Sequence, residues 1–146
     1  METQFTISWI PIENLKSILP LAYILNGEQI SMEVLQDRLS EMIPMGYKCI
    51  GVYHGDELIG ICGVWILNKL YAGKHIEPDN VIISPDYQGK GIGKLMMDFL
   101  VDYAREIGCE TAEVNCYVKN ERGKKFWETH GYVPLGFHMI KRLKDE

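Results

Sequence analysis

Residues 84–94 read SPDYQGKGIGK, a turn through which Gly89, Gly91 and Gly93 alternate. Two unlike patterns bracket it. Before it stands the β-branched run Val81-Ile82-Ile83. After it, Ile92, Leu95, Met96, Phe99, Leu100, Tyr103, Ala104 and Ile107 step by three and one, the spacing of a single helix face. A strand must therefore pass through a glycine-rich corner straight into an amphipathic helix, which Gly108 stops. Glycine at such a corner permits left-handed backbone angles and close approach of a ligand to the main chain. The first N–H groups of the helix lack intrahelical acceptors and sit at the positive end of its dipole, an arrangement suited to phosphate or pyrophosphate. Lys90 and Lys94 add positive charge at the same place.

The rest of the chain fits a mixed α/β sheet. Phe5–Ile10 alternates as a strand, residues 12–21 form a short helical stretch that Pro20 ends or kinks, and Ser31 caps a second helix bearing Val34, Leu35, Leu39 and Met42. Cys49–Tyr53 and Leu58–Leu67 read as an antiparallel hairpin around His54-Gly55-Asp56. The next strand runs from His75 to Ile83, and Pro78 inside it implies an edge, a bulge or a splayed ladder. A strand over 111–118, a helix over 121–130 and one or two strands between Tyr132 and Leu143 follow. The predicted order is β-α-α-β-β-β-α-β-α-β-β: six to seven strands with about four helices, and no doubly wound parallel sheet.

Composition narrows the class. At 146 residues, 47% hydrophobic and 24% charged, the chain reads as one domain over 1–146 that needs no structural metal. No apolar run reaches membrane-spanning length and the first residues lack a secretory pattern, so the expectation is a cytoplasmic protein off the membrane. A net charge of −5 argues against nucleic acid and suits a cationic small molecule or basic peptide. Cys49, Cys62, Cys109 and Cys116 contain no C-x-x-C, so no zinc site or disulfide framework is expected. His130 and His138 have no partner at metal-ligand spacing.

Two nucleotide-binding motifs fail at the glycine turn. A dinucleotide fingerprint would need glycine where Lys94 stands and would follow the first strand. A P-loop would need glycine at Gln88 and a hydroxyl at Leu95. Gln88-Gly89-Lys90-Gly91-Ile92-Gly93 instead resembles the Q/R-x-x-G-x-G/A motif of the GNAT (N-acetyltransferase) superfamily. The stretch from Asn120 through Phe126-Trp127 to Gly131-Tyr132 is similar to that family's second signature, and Leu70–Lys74 (LYAGK) resembles its small-amine and histone-type members.

The resemblance implies a GNAT-like fold with splayed central strands and acetyl-CoA as cosubstrate, bound between the strand ending at Ile83 and the strand 111–118. The backbone of Val81 and Ile83 would bond the pantetheine amides, residues Gln88, Gly89, Lys90, Gly91, Ile92, Gly93 and Lys94 would hold the pyrophosphate, and Asn120 would contact the pantetheine arm. Asn120 reads equally as a helix N-cap. The implied reaction is direct attack of a primary amine of a small molecule or peptide, in a ternary complex and without a metal. A free alkylamine has a pKa of about 10.4, so a base must take its proton. Glu77 stands eleven residues before Gln88, where histone-type members carry their strand glutamate, and Asp79 and His75 share its strand parity. The sequence departs from the family at Trp127, where a tyrosine commonly protonates the leaving thiolate. An indole N–H is a donor but no proton source near neutral pH, so Trp127 would cover the cofactor, with Tyr117 and Tyr132 as alternative acids. Two other functions stay open, a non-catalytic acyl-CoA-binding module and an acyl-CoA hydrolase acting through Cys116. So do the acceptor's identity and a homodimer.

Overall fold

The structure is a computed structural model that describes residues 4–144. It falls into two compact units, Met1–Glu113 and Val114–Glu146. The first holds a five-stranded sheet in the order β1 (Thr6–Trp9), β2 (Lys48–His54), β3 (Glu57–Lys69), β4 (Gly73–Ile83) and β5 (Thr111–Ala112). Neighbours are antiparallel except β4 and β5, which run parallel. Its helices are α1 (Leu19–Leu25), α2 (Met32–Met42) and α3 (Ile92–Glu106). None of the described helices is long and apolar enough to cross a membrane.

Each sheet face buries its own apolar set. Leu15, Leu19, Leu21 and Leu39 cluster with Tyr47, Cys49 and Ile61 on one side. On the other, Ile92 and Met96 of α3 lie over Gly60 and Val52. The helical stripe read from the sequence buries Ile92, Met96, Leu100 and Ala104, while Phe99 and Tyr103 pack edge-on against Trp9 of β1. Lys48 sits 4.4 Å above the Trp9 ring and donates to the Tyr103 hydroxyl. Pro20 departs from expectation. It stands in the first turn of α1, where its missing N–H costs nothing, and so starts this helix rather than ending one; a 3-10 segment, Ile12–Ile18, precedes it.

The break in β4 takes the form of a bulge. Ile82 pairs with Ile61 and Asp79 with Gly63, so Asn80 and Val81 both face Cys62. Asn80 adopts φ 61°, left-handed, which asparagine tolerates better than most residues. Its amide donates to the buried Tyr47 hydroxyl at 3.1 Å. The room comes from Gly63, where a Cβ would run into that hydroxyl and the Asp79 carbonyl. Burial pushes the Tyr47 hydroxyl pKa far up and the Cys49 thiol up to about 12, so both stay protonated in this core.

Pro78 sets where β5 stops. The carbonyls of Lys74 and Ile76 accept the N–H groups of Glu110 and Glu113, so even-numbered residues of β4 turn their backbone toward β5. The next residue on that side is Pro78, which has no N–H to offer. The ladder accordingly holds only Thr111–Ala112 of the strand expected over 111–118. In the second unit, α4 (Glu121–Thr129) is followed by a tail without a strand, where Pro134 and Gly136 interrupt the alternation and Leu135, Phe137 and Met139 stand exposed. The described residues thus contain five strands instead of six to seven.

Gly63→Ala should cost roughly 1–3 kcal/mol, the usual penalty of overpacking, read as a lower urea midpoint. In a Tyr47→Phe background, with the hydroxyl gone, the added cost should be smaller. Equal costs in both backgrounds would show that Tyr47 does not set the need for glycine.

Candidate active site

The bulge reverses backbone parity along β4. Beyond it, the Ser84 N–H bonds the Ile59 carbonyl at 2.7 Å, so Ser84 and Ile82 turn toward β3. Val81 and Ile83 therefore turn their backbone groups to the opposite side, past the point where β5 has ended. These are the two residues from which pantetheine contacts were expected. Gln88 donates its side-chain amide to the Ile83 carbonyl at 3.0 Å, bracing the turn against the end of β4.

A 3-10 turn, Pro85–Tyr87, leads into the glycines. The Tyr87 hydroxyl lies 2.9 Å from His54 Nδ1, tying the turn to the end of β2. Gly89 and Gly91 take φ 78° and 80°, and a Cβ on either would meet nothing, so the space above the turn is open. Gly91 is the N-cap of α3 and provides no side-chain acceptor. The first intrahelical bond runs from Leu95 to the Gly91 carbonyl, which leaves the N–H groups of Ile92, Gly93 and Lys94 without helical acceptors. Lys90 is exposed above them. Lys94 is turned along the helix to Asp98 at 2.8 Å, and that hydrogen bond raises its pKa. An anion here meets backbone N–H groups, a helix dipole and one uncommitted lysine.

On the sheet face toward α1 and α2, β4 presents His75, Glu77 and Asp79 in a row. Asp79 accepts the Trp65 indole N–H at 2.9 Å and, with Asn80, lines a cavity of about 180 Å³. Ala22 and Asn26 close it from the α1 side, and Arg38 and Leu39 of α2 from the other. Glu77 stands opposite Trp65 and contacts His75 Nε2 at 3.4 Å. His75 is completely buried, and its Nδ1 faces Glu113 Oε2 at 3.5 Å. The donor atoms of His75, Glu77 and Glu113 all lie within 4.8 Å of one another.

Asn120 and Trp127 belong to the second unit. Asn120 caps α4, its Oδ1 accepting the Gly123 N–H at 2.9 Å. Trp127 packs edge-on against Phe126 and Tyr132. Cys116 has its sulfur 3.7 Å from the carbonyls of Tyr117 and Asn120. The sequence reading missed the roles of Trp65, Tyr47, Asn80, Arg38 and Glu113. Gly63 in mid-strand and Asn80 two residues beyond Pro78 were the available signs of the bulge.

A family model described as the acetyltransferase (GNAT) family matches residues 12–132. The chain belongs to that family. Glucosamine 6-phosphate N-acetyltransferase of Arabidopsis thaliana is 33% identical over 46% of this chain, and the match spans 42% of that relative's length. The crystal structure of glucosamine-6-phosphate N-acetyltransferase from the same plant superimposes with a TM-score of 0.71 at 22% identity, covering 97% of this chain and 99% of that one. A solved complex of AAC(6')-Iy with the bisubstrate analogue CoA-S-monomethyl-acetylneamine reaches a TM-score of 0.78 at 14% identity, over 97% and 99% of the two chains. At these identities the two structures bear on the fold of this GNAT chain alone.

Gly91→Glu should abolish CoA binding measured by calorimetry while circular dichroism stays native. Gly91→Ala carries the same left-handed strain, about 1–2 kcal/mol, without the charge, and should still bind. Wild-type affinity in a folded Gly91→Glu protein would move the pyrophosphate site elsewhere.

Proposed function

We propose that residues 1–146 act as one acetyltransferase domain that moves the acetyl group of acetyl-CoA to a primary amine in a ternary complex. The observation that carries this reading is the bulge at Asn80–Val81. One irregularity turns the Val81 and Ile83 backbone toward the end of the sheet's parallel pair and puts Asp79 and Asn80 on the wall of a cavity. Cofactor and acceptor would thus be read by adjacent residues of one strand.

Acetyl-CoA supplies an activated thioester. The N–H groups from Gly89 to Lys94 bind its pyrophosphate, with Lys90 above them, and Gln88 holds the turn in place. Val81 and Ile83 offer main-chain groups to amides of the pantetheine arm, as a neighbouring strand would. For Asn120 and Trp127 the reading keeps the roles that the family resemblance implies, contact with that arm and cover for the thioester. No protein nucleophile is needed, because a thiolate with a pKa of roughly 8.5 leaves tolerably well.

The acceptor arrives as an ammonium. Asp79, its carboxylate fixed by Trp65, attracts and orients that charge at the cavity wall. Glu77, next along the same face, accepts the proton that frees the nitrogen to attack. Leu19, Ala22 and Leu39 give the cavity an apolar side suited to a small amine's carbon frame.

A panel of primary amines incubated with acetyl-CoA tests the reading through release of free thiol. Thiol should appear only with an amine present. Release without amine would mean a hydrolase, and binding without release a CoA-binding module. Glu77→Gln should lower kcat/KM by roughly 10²–10⁴-fold with acetyl-CoA affinity unchanged, whereas Asp79→Asn should act mainly by raising the amine KM. An effect of tenfold or less for Glu77→Gln would hand the base role to another group. Trp127→Tyr should change kcat by less than about tenfold, or about 1.4 kcal/mol in barrier; a hundredfold gain would show that the enzyme lacks an acid it needs.

A further inference from the structure

His75 has no exposed surface, yet both its ring nitrogens face carboxylates, one on β4 and one just past β5. Nε2 meets Glu77 Oε1 at 3.4 Å and Nδ1 meets Glu113 Oε2 at 3.5 Å. Nδ1 and that Glu113 oxygen are buried and have no other hydrogen-bond partner. The other Glu113 oxygen accepts the Tyr71 hydroxyl at 2.5 Å, in the exposed turn before β4. The ring is thus gripped from both sides, Nε2 by one carboxylate and Nδ1 by the other. A cation coordinated by all three residues fits less well, because a metal sits about 2.0–2.2 Å from each donor and the two carboxylates approach opposite nitrogens of the ring.

We propose that His75 and Glu113 are positioning residues for Glu77. His75 holds the Glu77 carboxylate in place through Nε2, and Glu113 fixes the ring from its other side through Nδ1. The groups facing the ring are Glu77 from β4 and Glu113 from the end of β5, with Asp79 farther along the same face and Tyr71 behind Glu113. Under this arrangement a change at Glu113 is felt at Glu77 through the ring. The inference rests on Glu77 as the base.

The test compares kcat, the amine KM and acetyl-CoA affinity for the wild type, Glu113→Gln, His75→Gln and Glu77→Gln, using an amine found active in the panel. Glu113→Gln is the principal variant, since Glu113 is partly exposed and its amide is nearly isosteric. It should keep acetyl-CoA affinity and the amine KM. It should lower kcat by about ten- to a hundredfold at neutral pH, the cost of a misplaced reacting group. His75→Gln should do the same if it folds. An unchanged kcat in a folded Glu113→Gln protein, or a loss that falls on the amine KM or acetyl-CoA affinity instead of kcat, would overturn the proposal and leave the cluster a fold element. Loss of activity on chelator treatment with recovery on adding Zn²⁺ would overturn it in favour of a cation. If Glu77→Gln costs tenfold or less, the base assignment is what fails.

Discussion

The packing of the Tyr47 hydroxyl against Gly63 and Asn80 is the constraint on which the site depends. A side chain at position 63 would fill the space the hydroxyl occupies. Without the hydroxyl, Asn80 would lose the bond that accompanies its left-handed backbone. That backbone makes the bulge, and the bulge decides which residues of β4 turn toward β3 and which turn away. The expected cofactor contacts on this strand, Val81 and Ile83, lie at the bulge and beyond it, and both candidate carboxylates lie before it.

Two chemical environments follow along one strand. In the proposed reading the ligand-facing groups past the bulge are main-chain N–H and C=O, which distinguish an extended amide from other shapes but carry no charge. The charge for pyrophosphate would come from a helix end and Lys90, on the next element of the chain. Before the bulge the proposed ligand-facing groups are carboxylates held by neighbours, Asp79 by the Trp65 indole and Glu77 by His75. Negative charge on the amine side and positive charge on the phosphate side would then be separated by neutral backbone, which would oppose inverted binding of a substrate pair whose own charges are arranged the same way.

Much of this was legible in the residues. The turn from Ser84 to Lys94 and the stripe of α3 follow from local chemistry, because glycine at left-handed positions and an apolar face leave few alternatives. Pro78 signalled an interruption, but whether as edge, bulge or splay depended on Tyr47, thirty-one positions away in the chain. The partnership of His75 with Glu113 was hidden for the same reason: it arises across the parallel pair of β4 and β5, and no spacing rule relates residues joined by a crossover. Pro20 misled because proline is equally at home at the first turn of one helix and after the end of another.

Pro78 has one more consequence. A sheet whose edge backbone is left uncovered invites a stray extended polypeptide to continue it, and association of that kind propagates between molecules. A peptide docking on this side of β4 beyond Ile76 would reach a residue with no donor and then a reversal of parity two residues later. Its repeat could not stay in step with the strand for more than a few ångströms. A short arm with two amides faces no such demand, since it needs only the stretch past the reversal. In the proposed reading, the irregularity that suits a small extended ligand would also oppose strand-by-strand association along this part of β4.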